Sequence, residues 1–140
     1  MMAFKIIQHV QEVFSGNKVE IPAFNPQEGL GKMSEIKAAA LAKYAKDKQA
    51  LVGINTNVED KQYYLVAEAG SEKGDTTFEI PAGLYAKFET IETARTAIDQ
   101  FIGQAYSEVA QSEKVGIGGN FNLEDFRGAG LTLYIPVFEK

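Results

Sequence analysis

Apolar and polar positions change rhythm along this chain, and the changes mark its elements. Phe4 to His9 and Glu12 to Ile21 are rich in β-branched and aromatic residues, which predicts a long broken strand or a hairpin with a bulge or turn at Ser15-Gly16-Asn17. Pro22, Pro26, Gly29 and Gly31 predict a loop. After them Ser34 stands where it would cap a helix reaching about Asp47, with Ile36, Ala40, Leu41 and Tyr44 on its inner side. Ala50 to Thr56 and Gln62 to Ala69 read as strands, joined by the polar turn Asn57 to Lys61.

The second half repeats that order. Gly70 to Asp75 is a polar connector, and Thr76 to Glu89 is a strand bent at Pro81-Ala82-Gly83. Thr90 then caps a helix carrying Ile91, Ala94, Ile98, Ile102, Ala105 and Val109 at helical spacing. Val115 to Phe121 and Leu131 to Phe138 supply a closing pair, linked by the loop Asn122 to Gly130. Each half therefore reads strand, helix, strand, strand, with pseudo-repeats of about 1–70 and 71–140 in a single domain. Two registers relate the copies. One superposes Val19-Glu20-Ile21-Pro22-Ala23 on Phe78-Glu79-Ile80-Pro81-Ala82, with four of the five positions identical. The other sets Ile7 through Phe14 against Phe78 through Tyr85, and is preferred because it keeps the first strand of each copy in the same place. Two such units side by side predict an α+β fold, a curved antiparallel sheet with both helices on one face.

Composition narrows the chemistry. The 140 residues have no cysteine, which excludes disulfides and thiolate catalysis, and the single histidine, His9, excludes a histidine-built zinc site. With no thiols to oxidise and no apolar run near the start, the expected setting is cytoplasmic, with no membrane anchor. The net charge is −5 and the basic residues are scattered apart from Lys37, Lys43, Lys46 and Lys48, which reads as a solvated helix face and disfavours direct nucleic-acid binding. Gly116-Ile117-Gly118-Gly119 follows a helix instead of opening one, so it reads as a connector and not a phosphate cradle. His9 reads as structural or solvated, and no cofactor is expected.

Two phrases in the second half carry a resemblance. Glu79-Ile80-Pro81-Ala82-Gly83-Leu84-Tyr85-Ala86-Lys87-Phe88 and Leu133-Tyr134-Ile135-Pro136-Val137 are similar to motif strands of the GyrI-like effector-binding domain, a bacterial small-molecule receptor module also found attached to transcription activators. The resemblance implies a ligand cleft where the halves meet, bordered by the strands of Tyr85 and Tyr134. It also implies an acid two residues before that second tyrosine. This chain has Thr132 there, so the charge of the ligand is left open, and Glu68, Glu79 or Glu124 would have to take the role of the acid.

Strand alternation puts Glu68 on one face with Tyr64 and Val66. Its functional reading is a cleft carboxylate facing a lipophilic cation beside aromatic rings. Its plain reading is a strand end in solvent, paired with a lysine such as Lys73. The candidate ligand-binding set is Glu68, Tyr134, Tyr85, Tyr64, Thr132, Phe14 and Phe126, the last on a loop able to close over a ligand. Phe88 packs inward. Three classes of function follow: a stand-alone regulatory or drug-sequestering receptor for a lipophilic molecule, a protein-interaction module of the gyrase-inhibitor type, and a small hydrolase using Glu68 with Tyr134. The receptor reading absorbs most of the pattern, and catalysis is not expected.

Overall fold

The computed structural model of the protein describes residues 4–22, 27, 29–45, 47, 49–70 and 74–140. Nine strands and two helices follow one another as β1 (Lys5–His9), β2 (Glu12–Ile21), α1 (Gly31–Tyr44), β3 (Val52–Val58), β4 (Lys61–Ala69), β5 (Thr76–Ile80), β6 (Gly83–Thr90), α2 (Arg95–Ala110), β7 (Val115–Ile117), β8 (Phe121–Asp125) and β9 (Leu131–Glu139). The strands form one antiparallel sheet in the order β1-β6-β9-β8-β3-β4-β2-β5, with β7 added alongside β9. This is the expected α+β architecture, and its strand order is the same read from either end if the halves are exchanged.

The exchange is exact in register. Ile7 lies opposite Tyr85 in the β1–β6 pair, and Phe14 lies opposite Phe78 in the β2–β5 pair. The shift that carries Ile7 onto Phe78 also carries Phe14 onto Tyr85, so it turns one pair into the other. The pairing therefore follows the second register, and the identity of Glu20-Ile21-Pro22 with Glu79-Ile80-Pro81 has no structural counterpart in it; Ala23 lies outside the described residues. Each half lends its first strand to the far edge of the other.

One face of the sheet curls upon itself. Every strand on the path contributes to this interior, as Ile7, Tyr85, Tyr134, Leu123, Ile54, Leu65, Phe14 and Ile80 illustrate in spatial order. The opposite face carries both helices. Ile98, Ile102, Ala105 and Val109 of α2 pack on Phe88, Leu133 and Ile135, while Ala40 of α1, with Met33, Ile36, Leu41 and Tyr44, packs on Tyr64 and Val66. Burying each of the larger side chains contributes roughly 1.5–3 kcal/mol before chain entropy is subtracted.

Several boundaries differ from the sequence expectation. Ser15-Gly16-Asn17 is no turn, because β2 runs straight through and Gly16 faces Ala67 on one side and Thr76 on the other. A Cβ at Gly16 would sit 1.9 Å from the Val66 carbonyl oxygen, so the glycine serves close strand approach instead of a bulge. Ser34 lies one turn inside α1, and its hydroxyl does not cap but donates to Asp99. Thr90 ends β6 and only holds the Glu92 N–H, while α2 begins later, at Arg95. The hairpin turn at Glu59-Asp60 is as expected, both residues having the positive φ of a tight two-residue loop.

The loop assigned to Asn122 through Gly130 is shorter than that. Residues 122–125 belong to β8, which pairs with both β3 and β9. Asn122 and Glu124 look loop-like by polarity, yet they alternate with Phe121 and Leu123 and point to the helix-covered face. The lysine group also divides: Lys37 is 4% exposed and ion-paired, Lys43 is exposed, and Lys46 and Lys48 lie outside the described residues.

Candidate functional site

Polar chemistry is concentrated between the helices and the sheet. Strand alternation sends Tyr64, Asn55, Asn122 and Glu124 to the helix-covered face. There Asn55 lies opposite both Tyr64 and Asn122, and Gly53 lies opposite Glu124. On α2, Arg95 and Asp99 share the buried stripe with Ile98 and Ile102, and on α1 Ser34 and Lys37 face them. Burying four charges is tolerable only if each finds partners, and these do. The Glu124 carboxylate, fully buried, accepts from Arg95 at 2.7 and 2.9 Å, from the Tyr64 hydroxyl at 2.8 Å and from Asn55 at 2.6 Å. Asp99 accepts from Arg95 at 2.8 and 3.2 Å, from Lys37 at 3.0 Å and from Ser34 at 2.7 Å. Asn55 and Tyr106 extend the array through Asn122.

The electrostatics follow from this packing. Burial raises the Glu124 carboxyl, but the adjoining Arg95 guanidinium, with help from Lys37 and Asn55, outweighs it and holds the group at about 2. Burial also works against the charged Arg95, yet Glu124 and Asp99 drive its pKa above the usual guanidinium value. The Tyr64 hydroxyl is pushed well up, first by burial and then by the neighbouring Glu124 charge. Arg95 and Lys37 lie 5.4 and 5.2 Å from the centre of the Tyr64 ring, so two cations and two anions surround one aromatic plane.

Gly53 makes this geometry possible. It sits on β3 between the strands of Tyr64 and Glu124, and a Cβ there would fall 2.2 Å from the Tyr64 hydroxyl oxygen and 3.0 Å from a Glu124 oxygen. A side chain at this position would occupy the path of their hydrogen bond.

The charged array divides the groove between the helices into two cavities. One, of about 650 Å³, is lined by Ala38, Leu41 and Ala42 of α1, Ile98 of α2, Ile91 and Glu92, and Phe126 with Gly128-Ala129-Gly130-Leu131, with Arg95 at its inner wall. The other, of about 260 Å³, is lined by Met33 and Lys37 of α1, Asp99, Ile102 and Tyr106 of α2, and Asn55, Tyr63 and Asn122 of the sheet. The larger cavity lies in the size range of drug-like ligands and is walled mainly by apolar side chains. Ile91, 89% exposed, stands at its edge.

The sequence candidates are spread over three places. Phe126 lines the larger cavity, its loop held by the Phe126 N–H donating to Leu51. Tyr64 belongs to the charged array. Glu68 shares the helix-covered face but lines a separate cavity of about 230 Å³ with Tyr44 and Asp47. Its suggested partner Lys73 lies outside the described residues. Phe14, Tyr85, Tyr134 and Thr132 are on the opposite face. Tyr85 and Tyr134 pack edge-on at 6.5 Å between ring centres, with His9 5.6 and 5.0 Å from them, and the Tyr85 hydroxyl donates to the Pro81 carbonyl. Glu68 and Tyr134 thus face away from one another across the sheet. Glu79, exposed, accepts from the Gln11 amide. Of the three alternative acids, Glu124 is the one buried between the halves.

Sequence reasoning passed over Arg95, Asp99 and Lys37. A signal was present, because Arg95, Ile98, Asp99 and Ile102 occupy one helical stripe, and a charged pair on a core stripe announces burial with partners. Among the described residues no three acids or histidines are grouped to hold a metal ion, and no helix is long and apolar enough to cross a membrane.

Solved structures share this architecture at low identity. An integron cassette protein from the mobile metagenome of Vibrio cholerae superposes with a TM-score of 0.65 at 14% identity, over 98% of this chain and 95% of that one. A Staphylococcus aureus MU50 protein provisionally assigned to bacterial transcription regulation gives 0.63 at 14%, over 98% and 99%. The protein SAV2435, solved bound to tetraphenylphosphonium, gives 0.61 at 15%, over 99% and 94%. No curated protein matches the chain. At the level of sequence, the Cass2 profile, which describes an integron-associated effector binding protein, matches residues 5–137, nearly the whole of the duplicated sheet with both helices. The chain belongs to that family.

Proposed function

We propose that this protein is a stand-alone receptor, a single cytoplasmic domain that binds a small lipophilic molecule in the 650 Å³ cavity and serves a regulatory or drug-sequestering role. The observation that carries the reading is that cavity: apolar, open at one side, and floored by a charged array that fixes both helices to the sheet. Membership of an effector-binding family supports it, as does a lipophilic ligand bound to a protein of the same fold. The site binds through shape and apolar contact, and the array supplies the rigid floor.

Thermal unfolding against a panel of lipophilic compounds, cationic dyes included, tests this. A ligand at a hundred times its Kd adds about 2.7 kcal/mol of stability by mass action, which raises Tm by several degrees. Ala42→Trp, at an exposed position of α1 that lines the cavity, is expected to keep the fold and abolish the shift. A panel without any shift, or shifts that persist in Ala42→Trp, would move the function away from this cavity.

A further inference from the structure

Resting on that reading, we infer that the receptor selects uncharged ligands, with Arg95 as the residue that sets this selectivity by closing the buried carboxylate that a desolvated cation would need. Glu124 is the acid buried in the sheet where the halves meet, and an unpaired carboxylate there would be a strong site for a lipophilic cation. It is not unpaired. Arg95 has five N–H donors, and all five are used: two on Glu124, two on Asp99 and one on the Tyr64 oxygen. Glu124 accepts four hydrogen bonds and so does Asp99, which fills the acceptor positions of both. Two acids stand against two bases, Lys37 and Arg95, and three of the four pairs of opposite charge are in contact at 2.7 to 3.0 Å.

The consequence for a ligand is a balance of two costs. A cation entering the larger cavity sheds its hydration and meets Arg95 at the buried wall, a like charge already held by its own anions, while the other lining charge, Glu92, is exposed and screened by water. An anion meets Arg95 with no donor left to give. A neutral apolar molecule loses nothing by either arrangement and gains the burial of its surface. The same argument identifies what would reverse the preference. Removing Arg95 leaves Glu124 with a charge that Lys37, bonded to Asp99, does not contact.

The test is calorimetric titration with three aryl probes of different charge: tetraphenylphosphonium, tetraphenylborate and the neutral triphenylphosphine oxide. The expected result for the native chain is neutral binding at least tenfold tighter than either ion. In Arg95→Met, tetraphenylphosphonium should gain tenfold or more while the neutral probe changes less than threefold. In Glu124→Gln with Arg95 intact, tetraphenylphosphonium should gain nothing. Native binding of the cation as tight as that of the neutral probe, or a cation affinity lost on Glu124→Gln, overturns the selectivity. If Arg95→Met does not fold, the native ranking and the Glu124→Gln result still decide. Failure of all three probes with the native chain sinks the receptor reading and this inference with it, whereas neutral binding without the Arg95→Met gain removes Arg95 alone.

Discussion

The two faces of the one sheet solve burial in opposite ways. The curled interior is closed by aromatic and aliphatic side chains, among them Phe14, Tyr85, Phe121 and Tyr134, whose few polar atoms bond locally or stay half exposed. The helix-covered face buries apolar side chains at both flanks and three linked ion pairs at its middle. An apolar interior tolerates the loss of a hydroxyl, since nothing depends on its direction. An array of mutually satisfied charges tolerates little, because removing one member strands the others. The same strands separate the two regimes by alternation alone, Leu65 facing one way and Tyr64 the other.

The sharpest way to break that contrast is Arg95→Met. It leaves Glu124 buried without its main partner, and should cost about 3–5 kcal/mol in urea unfolding, the largest single loss expected. Acid comes next. With its folded pKa lowered from 4.5 to about 2, Glu124 contributes stability that is complete above 4.5 and is lost as pH falls through 2. The amount is up to roughly 3 kcal/mol, and Glu124→Gln should flatten that part of the pH profile. Gly53→Ala should cost about 1–3 kcal/mol by forcing the Tyr64 hydroxyl off Glu124, with the change visible as altered Tyr64 fluorescence or ultraviolet absorbance. On the other face Tyr85→Phe removes one hydrogen bond to a carbonyl and should cost about 1 kcal/mol or less. Lys43→Ala, at an exposed position of the helix that holds Lys37, should stay within about 0.5 kcal/mol.

Much of the fold was legible because periodicity reports burial. The strand and helix order, the tight turn at Glu59-Asp60 and the offset between halves all follow from where apolar residues recur. The polar half of the site was not legible by the same means. Asn122 and Glu124 read as loop, and Lys37 as a solvated face, since polarity in a single sequence signals exposure unless a partner is known. The partners lie far along the chain, Tyr64 at 60 and Arg95 at 29 residues from Glu124, and Asp99 at 62 from Lys37. The motif tyrosines were visible for a different reason, being embedded in recognisable strands, but visibility of the strand says nothing about which face its side chains take. Glu68 and Glu124 show the point: both stand next to last in a strand, and only the second is opposite a glycine that opens a path to a tyrosine.

The exchange of first strands between halves has a kinetic consequence. β1 completes the sheet edge of the second half and β5 that of the first, so neither edge can form until residues from distant parts of the chain have met. Loops of that length must close before their contacts reward them, which places the protein among slow folders for its size. Opening must likewise undo pairings in both halves together, so a cavity assembled between them persists between rare global unfolding events instead of flickering with one half at a time.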